Sequence, residues 1–349
     1  MENLNSQQLI IEQQKLDLQK QELEERNKQI WTMSETVYKE KKKTEEYLKE
    51  ILEEKAKLEI QKKENEEQVK MLWEQSTSIH NEKERIEKLK TQVEYRHKEI
   101  IDSVHYAKKI QQAILPSQEL VNDLLPDSFI FFNPKNIVSG DFFWVHRIDE
   151  HKVLYAAVDC TGHGVPGAFM SIMGYNLLEQ IVVKNQLDQP ALILNELTKS
   201  VIRSLKQTNE LGSVKDGMDI ALCKVDFQNH TLEYAGAHNS LYLIRNGNLT
   251  ETKADRKSVG ISASKSTEFS NHTMNLVKGD CLYIFSDGYA DQKGGAENTK
   301  FFYQPFKDLL VEIHQQSMQE QKQKLESVIS SWKGDRGQID DMLIIGLRI

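Results

Sequence analysis

The sequence predicts an α+β domain at the C-terminal end of the chain, preceded by a long α-helical coiled coil. Residues 1–115 contain neither glycine nor proline, so all 17 glycines and all six prolines lie downstream, from Pro116 onward. The first part carries a seven-residue apolar repeat, whereas the second has short β-type runs separated by turn residues. We therefore expect a coiled-coil segment at residues 1–115 and a globular domain at residues 116–349.

The coiled-coil prediction depends on one apolar position that recurs every seven residues. Of its 16 occurrences only Thr44 and Asn65 are polar. The positions are Leu9, Leu16, Leu23, Ile30, Val37, Thr44, Ile51, Leu58, Asn65, Leu72, Ile79, Ile86, Val93, Ile100, Ala107 and Ile114. A 3.5-residue period sustained this long requires a left-handed supercoil with a partner, and Asn65 is a candidate for a polar layer that sets its register.

One continuous helix over residues 1–115 would reach roughly 170 Å at the rise of an α-helix. The alternative is a single solvated helix, but it would leave a long apolar stripe in water. We therefore expect self-association, as a homodimer through the coiled coil.

Pro116 ends the helical segment, because the residue before a proline is pushed out of the α region. Many strands with a few long helices in the rest of the chain predict an α+β sandwich. Strands are predicted at residues 128–132, 141–147, 152–159, 218–227, 231–236, 240–245, 280–286 and 342–349, and helices at residues 167–185, 189–207 and 306–332.

Composition excludes several function classes. Residues 1–115 hold 22 Lys and Arg against 24 Asp and Glu, and the remainder holds 23 against 29. An acidic domain is not expected to bind nucleic acid, which needs concentrated positive charge. No apolar run approaches the length of a membrane helix, and the N-terminus lacks the order of a signal peptide. The three cysteines form no paired motif, so we expect a cytoplasmic protein without membrane insertion.

Four acidic motifs stand at predicted strand ends, around Asp141, Asp159, Asp287 and Asp340. Each has an ordinary alternative: Asp287-Gly288 is a turn signal, and Asp340 could be a strand-edge charge. Carboxylates beside apolar strands are nevertheless costly unless they are paired. Hard oxygen ligands favour Mg²⁺ or Mn²⁺, and no His/Cys cluster with zinc spacing is present.

The motifs SGDFFW, AVDCTGHGVPGAFMS, YAGAHNSLYLIRNG, LYIFSDGYADQ and QIDDMLIIGL follow one another in this order. Together they resemble the PPM (protein phosphatase 2C-like) superfamily, and within it the bacterial branch typified by SpoIIE and RsbU. The resemblance covers about residues 120–349, and residues 103–116 resemble the linker helix before such domains. It implies an αββα sandwich with a centre for two Mn²⁺ or Mg²⁺ ions at one end.

The resemblance also assigns roles to residues of this chain. It implies that Asp159 bridges both ions and that the backbone carbonyl of Cys160 binds one of them. Asp287 and Asp340 would hold the other ion, and Asp141 would belong to the same cluster, directly or through water.

Other positions carry less definite expectations. Asp341 is expected to support the ligands rather than bind metal. His163 is a candidate leaving-group acid, with a simple loop or helix-start histidine as the alternative, because Cys160-Thr161-Gly162 separates it from Asp159. Asp219 could be a core-edge charge or a supporting group. Gly236-Ala237-His238-Asn239 replaces the Gly-Asp-Ser of the eukaryotic branch, and no counterpart of that branch's phosphate-binding arginine is found.

The function implied is hydrolysis of phosphoserine or phosphothreonine on a protein by a metal-activated water. The substrate could be an anti-sigma-factor antagonist. The coiled coil would regulate activity through the helices within residues 166–207. Two alternatives remain open: a non-catalytic coiled-coil scaffold with a phosphatase-like binding domain, and a metal phosphohydrolase of small molecules.

Overall fold

The computed structural model describes residues 2–64, 69–208, 210, 215–261 and 268–349. The chain divides into two compact units, Met1–Ser103 and Val104–Ile349. Within the described residues, no helix is long and apolar enough to cross a bilayer.

The first unit is helical, as predicted, and two helices are described in it. Helix α1 spans Glu2–Glu64 and helix α2 spans Val69–Ile114, the end of which belongs to the second unit. Arg96 Nη1 on α2 lies 2.9 Å from Glu40 Oε2 on α1. On one straight helix these residues would stand about 84 Å apart. Helix α2 therefore runs back along α1, and the expectation of one continuous helix was wrong. Asn65 lies outside the described residues.

The heptad seam is only partly covered in this hairpin. Half-buried seam residues occur on both helices, at Val37, Thr44, Ile51, Ile86, Val93 and Ile100. Other large apolar side chains remain open to solvent, including Trp31 (57% exposed), Met33 (67%) and Tyr38 (72%). The first unit thus keeps an apolar surface that its own two helices do not cover.

The second unit contains two five-stranded antiparallel sheets and six further helices among its described residues. The strands are β1 (Ser128–Asn133), β2 (Phe142–Arg147), β3 (Lys152–Cys160), β4 (Met218–Asp226), β5 (Thr231–Ala237), β6 (Leu241–Arg245), β7 (Asn248–Thr252), β8 (His272–Asn275), β9 (Cys281–Phe285), β10 (Lys293–Gly294), β11 (Thr299–Lys300) and β12 (Met342–Arg348). The helices are α3 (Gln118–Leu124), α4 (Gly164–Glu179), α5 (Pro190–Ser204), α6 (Gly288–Asp291), α7 (Tyr303–Ile313) and α8 (Met318–Lys333), with a π-helical turn at Gln180–Lys184 after α4.

The layers follow the predicted αββα order. One sheet has the order β2-β3-β4-β5-β8 and the other β1-β12-β9-β6-β7, while β10 and β11 form a separate hairpin. Apolar residues of α4 and α5 pack on the first sheet, and those of α7 and α8 pack on the second. A third cluster, which includes Tyr155, Cys223 and Ile284, fills the space between the sheets. The predicted fold class, α+β with an αββα sandwich, is confirmed.

All eight predicted strands are present, each within one residue of its predicted ends. The single helix predicted at residues 306–332 was wrong, because α7 ends at Ile313 and α8 starts anew at Met318. Ser317 caps α8: its hydroxyl accepts from the Glu320 backbone N–H, and its own N–H donates to the Glu320 carboxylate. Such a capping box starts a helix.

Candidate metal centre

Three aspartates lie side by side across one end of the β2–β3–β4 sheet. Asp141 immediately precedes β2, and the pairing of Phe142 with Val158 places it opposite Asp159. Asp159 in turn pairs with Asp219 at the start of β4. Directly opposed residues of neighbouring antiparallel strands project from the same face. The three carboxyl groups are therefore neighbours.

Two further aspartates come from the other sheet. Asp287 follows β9 and Asp340 shortly precedes β12, and these two strands pair in antiparallel fashion. Ser286 connects the sheets here. Its hydroxyl donates to Asp141 Oδ2 (2.6 Å) and accepts from the Leu343 N–H (3.0 Å). The four strand ends identified in the sequence thus meet at one end of the sandwich.

Burial and mutual repulsion govern the protonation of these carboxyl groups. Burial raises the pKa of Asp141 well above its usual range, neighbouring carboxylates raise it further, and the hydrogen bond from Ser286 opposes the rise. The pKa of Asp159 is also raised well above its usual range, first by burial and then by Asp141 and Asp287. Burial, followed by Asp291 and Asp340, raises the pKa of Asp287 to about 6. A bound cation would offset both costs, desolvation and repulsion.

The carboxylate oxygens are engaged with protein donors. Asp341 accepts from the Lys135 N–H and the Gly140 N–H, both at 2.7 Å, and Asp340 Oδ1 accepts from the Asp341 N–H at 2.9 Å. Across the described residues, no three acidic, His or Cys side chains already stand together as a set of metal ligands. A group of carboxylate oxygens whose negative charges repel one another suits a hard divalent cation.

Cys160 is suited to bind metal through its backbone rather than its sulfur. Burial, followed by the charges of Asp159 and Asp141, raises the pKa of its thiol well above the usual range. A thiol ligand must be deprotonated, so the sulfur is a poor candidate. The carbonyl oxygen of Cys160 faces the turn before Asp141, since a Cβ added to Gly140 would lie 3.3 Å from it.

Glycines allow the motif turns to pack closely. A Cβ at Gly140 or at Gly167 would collide with the carbonyl of Gly162. A Cβ at Gly288 would collide in the same way with the carbonyl of Asp341. These glycines therefore allow two backbone segments to approach each other closely.

His163 lies at the start of α4 with an exposed side chain. Its Nδ1 is 2.9 Å from Asn136 Oδ1, on the loop that leads to Asp141. Asp341 binds the same loop through Lys135 and Gly140, which fits the supporting role expected of it. The sequence did not predict a role for Ser286. Neighbouring residues of a strand point to opposite faces, so Ser286 is not expected beside Asp287, and the sequence does not show that its hydroxyl contacts both sheets.

A sequence model of the family described as Stage II sporulation protein E (SpoIIE) matches residues 149–349, more than half of the chain. The chain belongs to the SpoIIE family. Two curated relatives come from Bacillus subtilis (strain 168). Phosphoserine phosphatase RsbP is 24% identical over 186 residues, and phosphoserine phosphatase RsbU is 25% identical over 218. These alignments cover 53% and 62% of this chain but 44% and 61% of the relatives, so the chain spans only part of their length.

Solved structures share the fold of this SpoIIE domain. The SiaA-PP2C domain of Pseudomonas aeruginosa is 31% identical with a TM-score of 0.66, over 73% of this chain and 98% of that one. The PP2C phosphatase domain of SpoIIE from Bacillus subtilis, with a fragment of its regulatory domain, is 18% identical with a TM-score of 0.52. That match covers 64% of this chain and 63% of that one. The predicted membership of the PP2C-like superfamily is confirmed.

Proposed function

We propose that this SpoIIE-family protein is a metal-dependent protein serine/threonine phosphatase. One observation carries the proposal: aspartates of both sheets gather at one end of the sandwich, where the hydroxyl of Ser286 joins the sheets through Asp141. The names of RsbP and RsbU, phosphoserine phosphatases, support the same reaction.

In this proposal two Mn²⁺ or Mg²⁺ ions are held by the oxygens of the cluster. Asp159 lies between the aspartates of β2 and β4, a position that suits a bridging ligand. The ligands would be Asp141, Asp159, Asp287, Asp340 and the backbone carbonyl of Cys160. Bound divalent ions would supply a water of lowered pKa and would offset charge on the transferring phosphoryl group.

The other residues of the site orient these groups. Ser286 donates to Asp141 and so favours its ionised form. Asp341 fixes the loop before Asp141 by accepting from two backbone N–H groups. His163 is exposed beside this loop, and in this proposal it would donate a proton to the leaving serine or threonine oxygen. Its alternative is a helix-start histidine hydrogen-bonded to Asn136.

Asp159→Asn tests the metal mechanism, because it keeps the side-chain volume and removes the charge. Hydrolysis of a phosphoserine protein and of p-nitrophenyl phosphate should fall by more than about 100-fold, since even groups that only support metal ligands contribute 10- to 100-fold. A chelator should abolish wild-type activity and Mn²⁺ should restore it. Asp308→Asn, the same change on an exposed face of α7, is the control. Activity that survives both the chelator and Asp159→Asn would refute the mechanism.

We further propose that the substrate is a phosphoprotein, an anti-sigma-factor antagonist being one candidate, and that the protein acts in the cytoplasm. Comparing the two substrates separates the alternatives. A scaffold would hydrolyse neither substrate, and a small-molecule phosphohydrolase would hydrolyse only p-nitrophenyl phosphate.

The apolar surface left open on the α1–α2 hairpin supports a homodimer of this chain. Trp31, Met33 and Tyr38 are largely exposed on α1, where a second hairpin could cover them. Sedimentation equilibrium of the full chain and of a Trp31→Glu, Met33→Glu variant tests this, because introduced charges should dissociate such a dimer. A monomeric wild-type protein would contradict the proposal.

Gln111 supports regulation through the end of α2. The residue is buried, its Nε2 donates to Ser139 O (2.7 Å) and Ser171 Oγ (2.8 Å), and its Oε1 accepts from the Ser139 N–H (3.1 Å). Ser139 Oγ in turn accepts from the Asp141 N–H (3.1 Å). Any rotation of α2 would therefore act on the segment that carries Asp141 and, through Ser171, on α4.

Gln111→Leu should change the Mn²⁺ concentration for half-maximal activity by about tenfold, because it breaks three buried hydrogen bonds. Gln112→Leu alters the neighbouring exposed residue and should change nothing. A chain that begins near Leu120 and keeps the activity, metal dependence and regulation of the full chain would contradict this regulatory proposal.

A further inference from the structure

The acidic end of the sandwich repels a phosphoserine dianion. A protein cation or hydrogen-bond donor beside the proposed ions would offset more of the charge of Asp141, Asp159, Asp219, Asp287 and Asp340. Lys300, on β11, supplies a positive charge beside the turn that follows Asp287. Its Nζ lies 2.7 Å from Asp291 Oδ2, at the end of α6, which begins directly after Asp287. The charge of Lys300 also acts on Asp287, where it opposes part of the rise in pKa.

The ion pair of Lys300 with Asp291 is open to water. The side chains are 45% and 30% exposed. Exposed ion pairs contribute little to stability, so the ammonium group can exchange one anionic partner for another at small cost. A lysine ammonium with three rotatable donors is a common ligand of phosphate in proteins.

Tyr303 provides a second donor on the same side of the cluster. It is the first residue of α7 and 42% exposed, and its ring centroid lies 6.3 Å from that of Phe285, two residues before Asp287. Among the described residues its hydroxyl has no hydrogen-bond partner. Burial raises its pKa, and the carboxylates of Asp287, Asp291, Asp159 and Asp219 raise it further. The hydroxyl thus remains protonated and available to donate a hydrogen bond.

The chain between these residues is held in an unusual conformation. Phe302 has φ +68°, a region that bulky residues rarely adopt, and its ring is 55% exposed. Its N–H donates to Ala290 O (2.7 Å) on α6, while Phe301 donates to Gln292 O (2.9 Å) and packs on Tyr289. These contacts fasten the segment to the turn after Asp287. Strain of this kind is retained where the surrounding structure requires it, and it gathers at functional sites.

We propose that Lys300 and Tyr303 form the phosphoryl-binding edge of the site, where the ammonium and hydroxyl groups bind non-bridging oxygens of the substrate phosphate. The inference rests on the proposed phosphatase function, and it supplies the phosphate-binding cation for which the sequence offered no arginine.

Lys300→Met, which keeps the aliphatic stem, and Tyr303→Phe test the proposal in the full chain at saturating Mn²⁺. Lys293→Met is the matched control, since Lys293 is exposed and pairs with Lys300 across the same hairpin. KM for a phosphoserine peptide and the inhibition constant of inorganic phosphate should both rise about tenfold in Lys300→Met and about threefold in Tyr303→Phe, as expected for loss of hydrogen bonds to an anion. The Mn²⁺ concentration for half-maximal activity should stay within about twofold, because neither group is a proposed ligand.

Unchanged KM and phosphate inhibition in both variants would overturn the inference and leave the phosphatase proposal standing. A weaker Mn²⁺ response with unchanged phosphate inhibition would also overturn it, since Lys300 would then act only as a counter-ion of Asp291. If Lys300→Met fails to fold, Tyr303→Phe decides, because it removes a single partly exposed hydroxyl. A wild-type protein without any phosphatase activity would overturn both proposals.

Discussion

Replacing Ser286 by alanine removes a hydroxyl that bonds to both sheets at the acidic end. The side chain is 1% exposed, donates to Asp141 Oδ2 and accepts from the Leu343 N–H. The variant loses a hydrogen bond to a carboxylate and leaves a buried N–H without its partner. Together these changes should lower the free energy of unfolding by about 2–5 kcal/mol.

The same change should weaken metal binding, because it alters the pKa of Asp141. The hydroxyl lowers the pKa of Asp141, so its loss raises that pKa further. At a given pH a smaller fraction of the carboxyl is then ionised, and protons compete better with Mn²⁺. The acid limb of activity at limiting Mn²⁺ should therefore move to higher pH.

Urea unfolding measures the effect on stability, and Mn²⁺ titrations of activity measure the effect on metal binding. Both are done between about pH 5 and 8, the range in which carboxylates with raised pKa values titrate. Ser128→Ala is the control, because it removes one hydrogen bond, to Leu125 O, at the end of β1 that pairs with Leu347 and not with the Met342 end of β12 near Asp340. This control change should lower the free energy of unfolding by about 1 kcal/mol and leave the Mn²⁺ response unchanged. A Ser286→Ala protein with wild-type stability and wild-type Mn²⁺ response would refute the reasoning.

Three further predictions follow from the structure. In chelator, burial raises the pKa of Asp287 in the folded protein to about 6, above its ordinary value of 3.8. The folded state therefore binds more protons between these two pH values, and the stability that this group contributes falls as pH rises. The fall should amount to about 2–3 kcal/mol and be reduced in Asp287→Asn, as measured by urea unfolding; an equal slope in both proteins would contradict it. Gly140→Ala forces a Cβ against the Gly162 carbonyl, so it should lower the free energy of unfolding by about 1–3 kcal/mol and remove much of the Mn²⁺-dependent activity. Gly337→Ala is the control and should change both little, because a Cβ there meets nothing within 4 Å. Spin labels at Glu40→Cys and Arg96→Cys, diluted with unlabelled chain, should report a short intrachain distance; one near the roughly 84 Å of a continuous helix would exclude the hairpin.

The strands that build the sandwich were predictable because their apolar runs are bounded by clear turn residues. Strand β9, for example, is buried at every position and stops at Ser286-Asp287-Gly288. The strands that were missed differ in that respect. Strands β7 and β8 alternate between exposed and half-buried residues at the sheet edges, so their sequences carry little apolar signal.

The helical errors have a different origin. A heptad repeat fixes which face of a helix is apolar, but it does not say whether the partner is another chain or the same chain folded back. The contact of Arg96 with Glu40 is between exposed charges and leaves no mark in the apolar pattern. The break between α7 and α8 depends on Ser317 and Glu320, a capping box hidden in a glutamine-rich stretch.

The gathering of these aspartates at one end of the sandwich could be predicted from their position at strand ends, whereas the groups that contact them could not. Ser286 and Gln111 have partners 145 and 28 residues away, and those partners are known only once the sheets are packed. Asp219 carried no signal beyond its own charge, and only the register of β3 with β4 places it opposite Asp159.

The division of the acidic cluster between two sheets has an energetic consequence. Asp141 and Asp159 belong to one sheet and Asp287 and Asp340 to the other, so the repulsion among them opposes the packing of the sheets that the apolar cluster between them favours. A cation bound by both sets would turn that repulsion into a link between the sheets. Under the proposed function, metal binding and closure of the sandwich at this end would therefore be thermodynamically coupled. By the same coupling, a shift of the segment held by Gln111, which carries Asp141, would change metal affinity without a change in any ligand.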